Sequence, residues 1–295
     1  MKRQTRAFAF GITTVLLWST VASAFKLSLR YLEPVQLLLY ATATSVITLF
    51  LILLLQGKLR QLSSMSSAAM LRAGLLGVLN PLLYYLVLFQ AYDLLPAQEA
   101  QALNYTWAIT LSLLSVPFLG QRLSLQELGA IMLAYLGVLF IATHGNLLAL
   151  EFGNTRGVLL ALGSTLIWSF YWLANTRSRK DPVLGLFLNF VFALPLVALA
   201  AWFSGNLAWP PLNGLMGAAY VGIFEMGIAF VTWLHAMRLT SSTARLATLI
   251  YISPFISLIL IQQLVGEIIH WSSIAGLGLI VAGSMLQQML HRKSR

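Results

Sequence analysis

The fold class this sequence predicts is an all-α polytopic membrane protein, and three observations predict it. Of its 295 residues 59% are hydrophobic and only 9% are charged, with a mean hydropathy of +0.84. Soluble domains carry about 25% charged residues. Apolar runs of about 17 to 25 residues recur along the whole length, each able to cross roughly 30 Å of hydrocarbon as a helix. None of them alternates with period two, as strands of a membrane barrel do. The second half of the chain also repeats the landmarks of the first.

Ten spans are predicted between punctuating charges, Pro and Gly. The first, about 7–29, follows Lys2, Arg3 and Arg6. These cations and the later Ala22-Ser23-Ala24 also fit a cleavable signal. The stretch nevertheless contains Trp18, Ser19 and Thr20 and runs on through Phe25, which favours a retained first span. The second, about 35–56, opens after Glu33-Pro34 and stops before Lys58 and Arg60. The third (about 69–92) and fourth (about 96–118) follow, the fourth ending ahead of Gly120-Gln121. The fifth is about 126–143. The sixth, about 157–175, lies between Arg156 and Arg177, and the seventh, about 183–204, opens after Asp181-Pro182. The eighth (about 212–237) stops before Arg238, the ninth (about 242–264) before Gly266-Glu267, and the tenth (about 272–290) before Arg292.

The net charge of +10 follows this layout. With a cytoplasmic N-terminus, Lys2, Arg3, Arg6, Lys58, Arg60, Arg72, Arg122, Arg177, Arg179, Lys180, Arg238, Arg245, Arg292, Lys293 and Arg295 all fall inside, leaving only Lys26, Arg30 and Arg156 of the 18 basic residues outside. Positive charge concentrates on cytoplasmic loops, so both termini are read as cytoplasmic. The charge is a topology signal, and no nucleic-acid partner is expected.

Trp18-Ser19 and Glu33-Pro34 are echoed by Trp168-Ser169 and Asp181-Pro182. Gly120-Gln121 is echoed by Gly266-Glu267, and Gly129 and Gly137 by Gly276 and Gly283. Five spans per half make the second copy start on the other side. The chain therefore reads as two inverted five-helix repeats, residues 1–148 and 149–295. That arrangement is typical of secondary transporters, with a binding site between the halves and alternating access to it. A duplicated chain can enclose its own site, so a monomer in the lipid bilayer is expected.

Residues 104–107, Asn-Tyr-Thr-Trp, put an amide, a phenol and an indole N–H at the middle of the apolar fourth span. Trp18, Tyr84, Tyr85, Trp168 and Tyr171 lie similarly deep, and Tyr220, Glu225 and Tyr251 join them. Aromatic faces and a few polar groups are what a pocket for an aromatic zwitterion needs. The bland alternatives are packing between helices and, for Trp202, Trp209 and Trp271 at span ends, the interfacial belt. At about 100° per residue, Tyr105 and Trp107 point some 200° apart, so either the cavity wraps around this helix or one of the two packs elsewhere; of the pair, Trp107 is preferred as the cavity residue. Glu225 is the only carboxylate read as inside a span. It binds a substrate ammonium or a coupling proton, or else is a hydrogen-bonded structural acid. His235 is read as interfacial. Pro81, Pro195 and Pro254 interrupt spans and Pro117 lies near an end; Pro254 is the preferred gating element.

Without cysteines there is neither a disulfide nor a thiolate metal site. His144, His235, His270 and His291 are scattered, and no hydrolase or metalloenzyme motif occurs. Neither a cofactor nor enzymatic activity is expected.

The early Trp18-Ser19, the doubled five-span layout and the Gly-Gln/Gly-Glu turns resemble the drug/metabolite transporter superfamily, specifically its ten-helix EamA-type exporters. Glu99 followed by Asn104-Tyr105-Thr106-Trp107 resembles the fourth-span signature of the YddG-type branch of aromatic amino acid exporters. The resemblance implies export of Phe, Tyr and Trp across the bacterial inner membrane, with methyl viologen as a further cargo of some members. It also implies a cavity lined by spans 1, 3, 4, 6, 8 and 9. One departure stands out, for Ala108 follows Trp107 where the branch carries Pro. Other small metabolites and cationic drugs are the alternative cargoes.

Overall fold

The computed structural model describes residues 2–63, 65–120, 123–147, 154–175, 181–240, 246 and 248–293. Its rods are α1 (Lys2–Ser28), α2 (Pro34–Leu55), α3 (Ser67–Leu94), α4 (Ala97–Leu119), α5 (Leu125–Ala142), α6 (Thr155–Asn175), α7 (Pro182–Phe203), α8 (Leu212–Leu239), α9 (Leu249–Val265) and α10 (Trp271–Lys293). Among the described residues, nine of these are long and apolar enough to cross a membrane, and α9 is shorter. The early part of the predicted ninth span, residues 242–245 and 247, lies outside the described residues, as does the expected repeat boundary at 148 and 149. Leu51, Leu55, Leu125, Met132 and Phe203 face outward, giving the bundle an apolar coat suited to lipid.

Local chemistry sets the helix ends. Pro34 and Pro182 occupy first turns, where a missing N–H costs nothing. Asp181 accepts from the N–H groups of Val183 and Leu184 at 2.9 and 3.3 Å. Ser124 and Glu127 cap α5 reciprocally, with the Ser124 N–H donating to the Glu127 carboxylate at 2.8 Å and the Glu127 N–H to the Ser124 hydroxyl at 3.2 Å. Gly120 and Gly266 end α4 and α9 with φ of +68° and +80°, the left-handed termination glycine favours. The echoed Gly-Gln and Gly-Glu turns are thus helix stops.

Contacts between the halves obey an approximate two-fold relation. A Cβ on Gly137 would stand 2.5 Å from the Gly276 carbonyl, and one on Gly283 would stand 2.6 Å from that of Ala130. As α5 runs from Ala130 to Gly137, α10 runs back from Gly283 to Gly276, so the matched helices pack antiparallel with backbones touching. Ser19 of α1 donates to Ser253 of α9 at 3.3 Å, while Ser169 of α6 donates to the Trp107 carbonyl of α4 at 3.3 Å. Both α3 and α8 also widen into a π-helical stretch, Val78–Leu83 and Val221–Ala229.

The two ends of the bundle are closed differently. At the end carrying the chain termini, Asp181 lies 2.9 Å from Lys58 and 3.4 Å from Arg238, and Arg72 donates to the Ala174 carbonyl. At the opposite end, Glu267 accepts from the N–H groups of Ala97 and Gln98 at 2.7 and 3.3 Å. The Gln98 side chain in turn donates to the Ile268 carbonyl at 2.9 Å and accepts from the His270 N–H at 2.8 Å. Arg30 reaches the Val265 carbonyl at 2.6 Å, and Lys26 reaches those of Tyr92 and Leu95 at 2.7 and 2.8 Å. Glu225 is not the only buried in-span carboxylate. Glu99 and Glu127 lie in first helical turns, Glu99 meeting His144 at 3.0 Å and Glu127 meeting Ser124.

Burial opposes ionisation of Asp181, but hydrogen bonds from Lys58, Leu184 and Val183 outweigh it and hold the carboxyl below the usual carboxylate range. A depressed value stabilises the fold above the unfolded pKa near 4, and that contribution is lost as pH falls through the folded value. Asp181→Ala is expected to cost about 1 kcal/mol of stability near pH 7, with its melting temperature converging on wild type as pH falls through the lowered folded value. A melting difference that ignored pH would show that the carboxylate does not act this way. Gly137→Leu is expected to cost about 1–3 kcal/mol by driving α5 from α10. Gly129→Leu, where a Cβ meets nothing within 4 Å, should melt like wild type; thermal unfolding in detergent compares them.

Candidate functional site

A cavity of about 280 Å³ lies between six of the helices. From α1 it receives Trp18, Ala22 and Phe25, a stripe at helical spacing, and from α3 Tyr84, Leu88 and Tyr92 at intervals of four. Gln101, Asn104, Tyr105, Trp107 and Leu111 come from α4, Trp168 and Trp172 from α6. Glu225, Phe230, Trp233 and Met237 come from α8, and Ile250 from α9. Among the sequence-predicted residues, Trp18, Tyr84, Asn104, Tyr105, Trp107, Trp168 and Glu225 therefore share one space.

Trp168 is the hub of its wall. Its ring stacks on Tyr84 at 4.5 Å with planes 28° apart, and it meets Tyr171, Trp172 and Phe230 at 5.8, 5.8 and 5.7 Å. Across from it Trp18 and Trp233 form a second pair, 5.6 Å apart. Such ring contacts are each worth about 0.5–1.5 kcal/mol beyond the area they bury, so the wall is rigid and flat-faced.

The polar groups divide into occupied and free. Asn104 donates to Ser164 at 2.9 Å and accepts from the Tyr84 hydroxyl at 3.5 Å, so its amide is spent on α3 and α6. The Tyr85 hydroxyl donates to Glu225 Oε1 at 3.1 Å. The other carboxylate oxygen, Glu225 Oε2, has no partner, and neither has Gln101 Oε1 or the Trp172 indole N–H. Buried polar atoms are ordinarily paired. These two acceptors and one donor belong to residues that line the cavity, and the atoms themselves are buried.

Tyr105 and Trp107 both line the cavity, as expected if it wraps around this helix. The helix breaks between them: α-helical turns end at Asn104 and resume at Trp107, and the Thr106 hydroxyl and N–H both turn back to the Leu103 carbonyl at 2.8 and 3.1 Å. The break falls just before Ala108. Pro254 lies in the first turn of the Ser253–Leu260 segment, following a 3₁₀ turn over Thr248–Ile252, and does not line this cavity.

Several candidates lie elsewhere. The Tyr220 hydroxyl hydrogen bonds Thr20 at 2.8 Å, and Tyr85 and Tyr171 are buried behind the wall. His235 pairs with its own helix at the Val231 carbonyl, 2.7 Å away. Trp202, Trp209 and Trp271 are largely exposed at helix ends or in a loop. Tyr251 lines a second cavity of about 350 Å³ with Ser112, Ser284 and Gln287. That space shares Tyr105, Trp107, Leu111 and Ile250 with the first and extends towards Leu119 and Leu173, so Trp107 stands between the two. Sequence reasoning missed Gln101, Trp172 and Trp233. The two tryptophans lie near predicted span ends; their spacing of four from Trp168 and eight from Glu225 carried the signal.

The known proteins that this chain resembles are carriers. It is 26% identical to the aromatic amino acid exporter YddG of Ancylobacter novellus over 71% of this chain and 73% of the relative. To a protein of Streptantibioticus cattleyicolor, provisionally named a terminal-alkyne amino-acid exporter, it is 26% identical over 65% of this chain and 64% of that one. A crystal structure superposes on it with a TM-score of 0.66 at 25% identity, covering 99% of each chain. The EamA-like transporter family matches twice, at residues 5–143 and 155–287. That doubled match spans nearly the whole chain, its relatives are named transporters or exporters and not enzymes, and the chain accordingly belongs to the EamA-like transporter family.

Proposed function

We propose that this transporter exports aromatic amino acids, Phe, Tyr and Trp, across the bacterial inner membrane. The observation that carries the reading is the pairing, in one cavity, of a stacked Tyr84–Trp168 wall with a buried Glu225 oxygen that nothing in the protein answers. An aromatic amino acid supplies what is missing. Its ring lies on the wall and its ammonium pairs with the Glu225 carboxylate. A space of about 280 Å³ lies at the small end of ligand pockets, roughly 300–1,000 Å³, which suits a single amino acid better than a nucleotide-sugar. Similarity to an aromatic amino acid exporter and to a second amino-acid exporter supports the same class.

Transport proceeds by alternating access, the halves 1–148 and 149–295 exposing one site to each side in turn, in a monomer with both termini cytoplasmic as the distribution of basic residues implies. Trp107, between the two cavities, is then the residue a solute passes on its way to the cytoplasmic end. Pro254, beside the break in α9, is a hinge on the matching side of the second repeat.

The test is uptake of labelled tryptophan by proteoliposomes. Phenylalanine is expected to compete and glutamate is not. Trp107→Ala should lower uptake on the order of tenfold, the loss of about one aromatic contact. Glu225→Gln should lower it by one to two orders of magnitude, roughly what a hydrogen bond to a charged group is worth. Well-folded protein that takes up no tryptophan would remove the substrate assignment, and Glu225→Gln transporting normally at every pH would remove the role of Glu225.

A further inference from the structure

The cavity's polar groups are unequal in sign. Among the described residues lining it, Glu225 is the only carboxylate and there is no Lys, Arg or His. Its unpartnered buried atoms are two acceptors, Glu225 Oε2 and Gln101 Oε1, against a single neutral donor, the Trp172 indole N–H. The Asn104 amide is committed to Ser164 and Tyr84. Lys26 of α1 and Arg30 in the turn after it do not line the cavity, and their side chains are held by the carbonyls of Tyr92, Leu95 and Val265. A zwitterion bound here matches its ammonium to a carboxylate and leaves its own carboxylate facing one indole N–H. A buried charge without a counter-charge is costly.

Resting on the reading of this cavity as an aromatic amino acid site, we propose that its preferred ligands are aromatic monoamines, single-ring or indole cations that lack the carboxylate. The cation neutralises Glu225, and its ring takes the Tyr84–Trp168 and Trp18–Trp233 faces, where a cation is also stabilised by the ring quadrupole. No charge is then left unanswered. The transporter is by this account an exporter of decarboxylated aromatic amino acids as well as of the amino acids themselves.

The experiment compares ligands on the unaltered protein, so no variant has to fold. Tryptamine, tryptophan and indole-3-propionate share the ring and differ in charge. Each competes against labelled tryptophan uptake in proteoliposomes, and each is titrated calorimetrically into purified transporter in detergent. Tryptamine is expected to compete and to bind roughly ten- to a hundredfold more tightly than tryptophan, the scale of one badly answered charged group. Indole-3-propionate is expected to do neither. Glu225→Gln should abolish the advantage of tryptamine, with Glu225→Asp retaining part of it. Tryptophan uptake that tryptamine inhibits no better than indole-3-propionate overturns the amine preference and leaves the amino acid reading intact. Absence of tryptophan uptake together with absence of tryptamine binding overturns the reading on which the preference rests, and the preference with it.

Discussion

In hydrocarbon a backbone N–H or C=O has no water to turn to, and the arrangement of this protein depends on that constraint. It makes every apolar run a helix, and it limits where a helix can be interrupted. The break at Tyr105–Thr106 borders the central cavity, and the 3₁₀ turn at Thr248–Ile252 leads into Ile250 of the same lining. Freed groups are answered locally, as when Thr106 turns its hydroxyl back to Leu103. At both places irregular backbone borders the site.

Within that space packing and polarity have separate supports. The aromatic wall is built from rings on α3, α6 and α8 that hold one another, with Trp168 touching four of them. Asn104 links α4 to α3 and α6 through Tyr84 and Ser164 and so fixes the helix that brings Trp107 to the cavity. Neither set uses Glu225, which is anchored by one oxygen to Tyr85 and keeps the other free. A structural acid would be expected to have both oxygens answered, since leaving one bare costs stability and gains nothing in the fold.

The spans were legible in the sequence because lipid demands long apolar runs and loops collect the charges. The midspan aromatics were legible because a Trp or Tyr far from an interface needs a partner. What could not be read is equally physical. The local break at Tyr105–Thr106 is one that helical periodicity cannot anticipate. Trp172 and Trp233 lie near helix ends in the chain yet turn inward in space. The role of Gln98 and Glu267 in closing one end involves residues about 170 apart, which no local pattern relates. The glycine echoes foretold a matched pair of helices, and contact between the backbones of Gly137 and Gly276 explains why those positions bear no side chain.

The Glu267 cap has a consequence of its own. Two near copies packed about a two-fold relation would, if identical, leave the two ends of the protein energetically interchangeable. The duplicated turn is not identical: Glu267 in the second copy stands where the first has Gln121. A carboxylate held by backbone N–H groups at the start of a helix gains from the helix dipole as a neutral amide does not. The duplication supplies a balance with two equal arms, and one acidic side chain is the weight placed on a single pan.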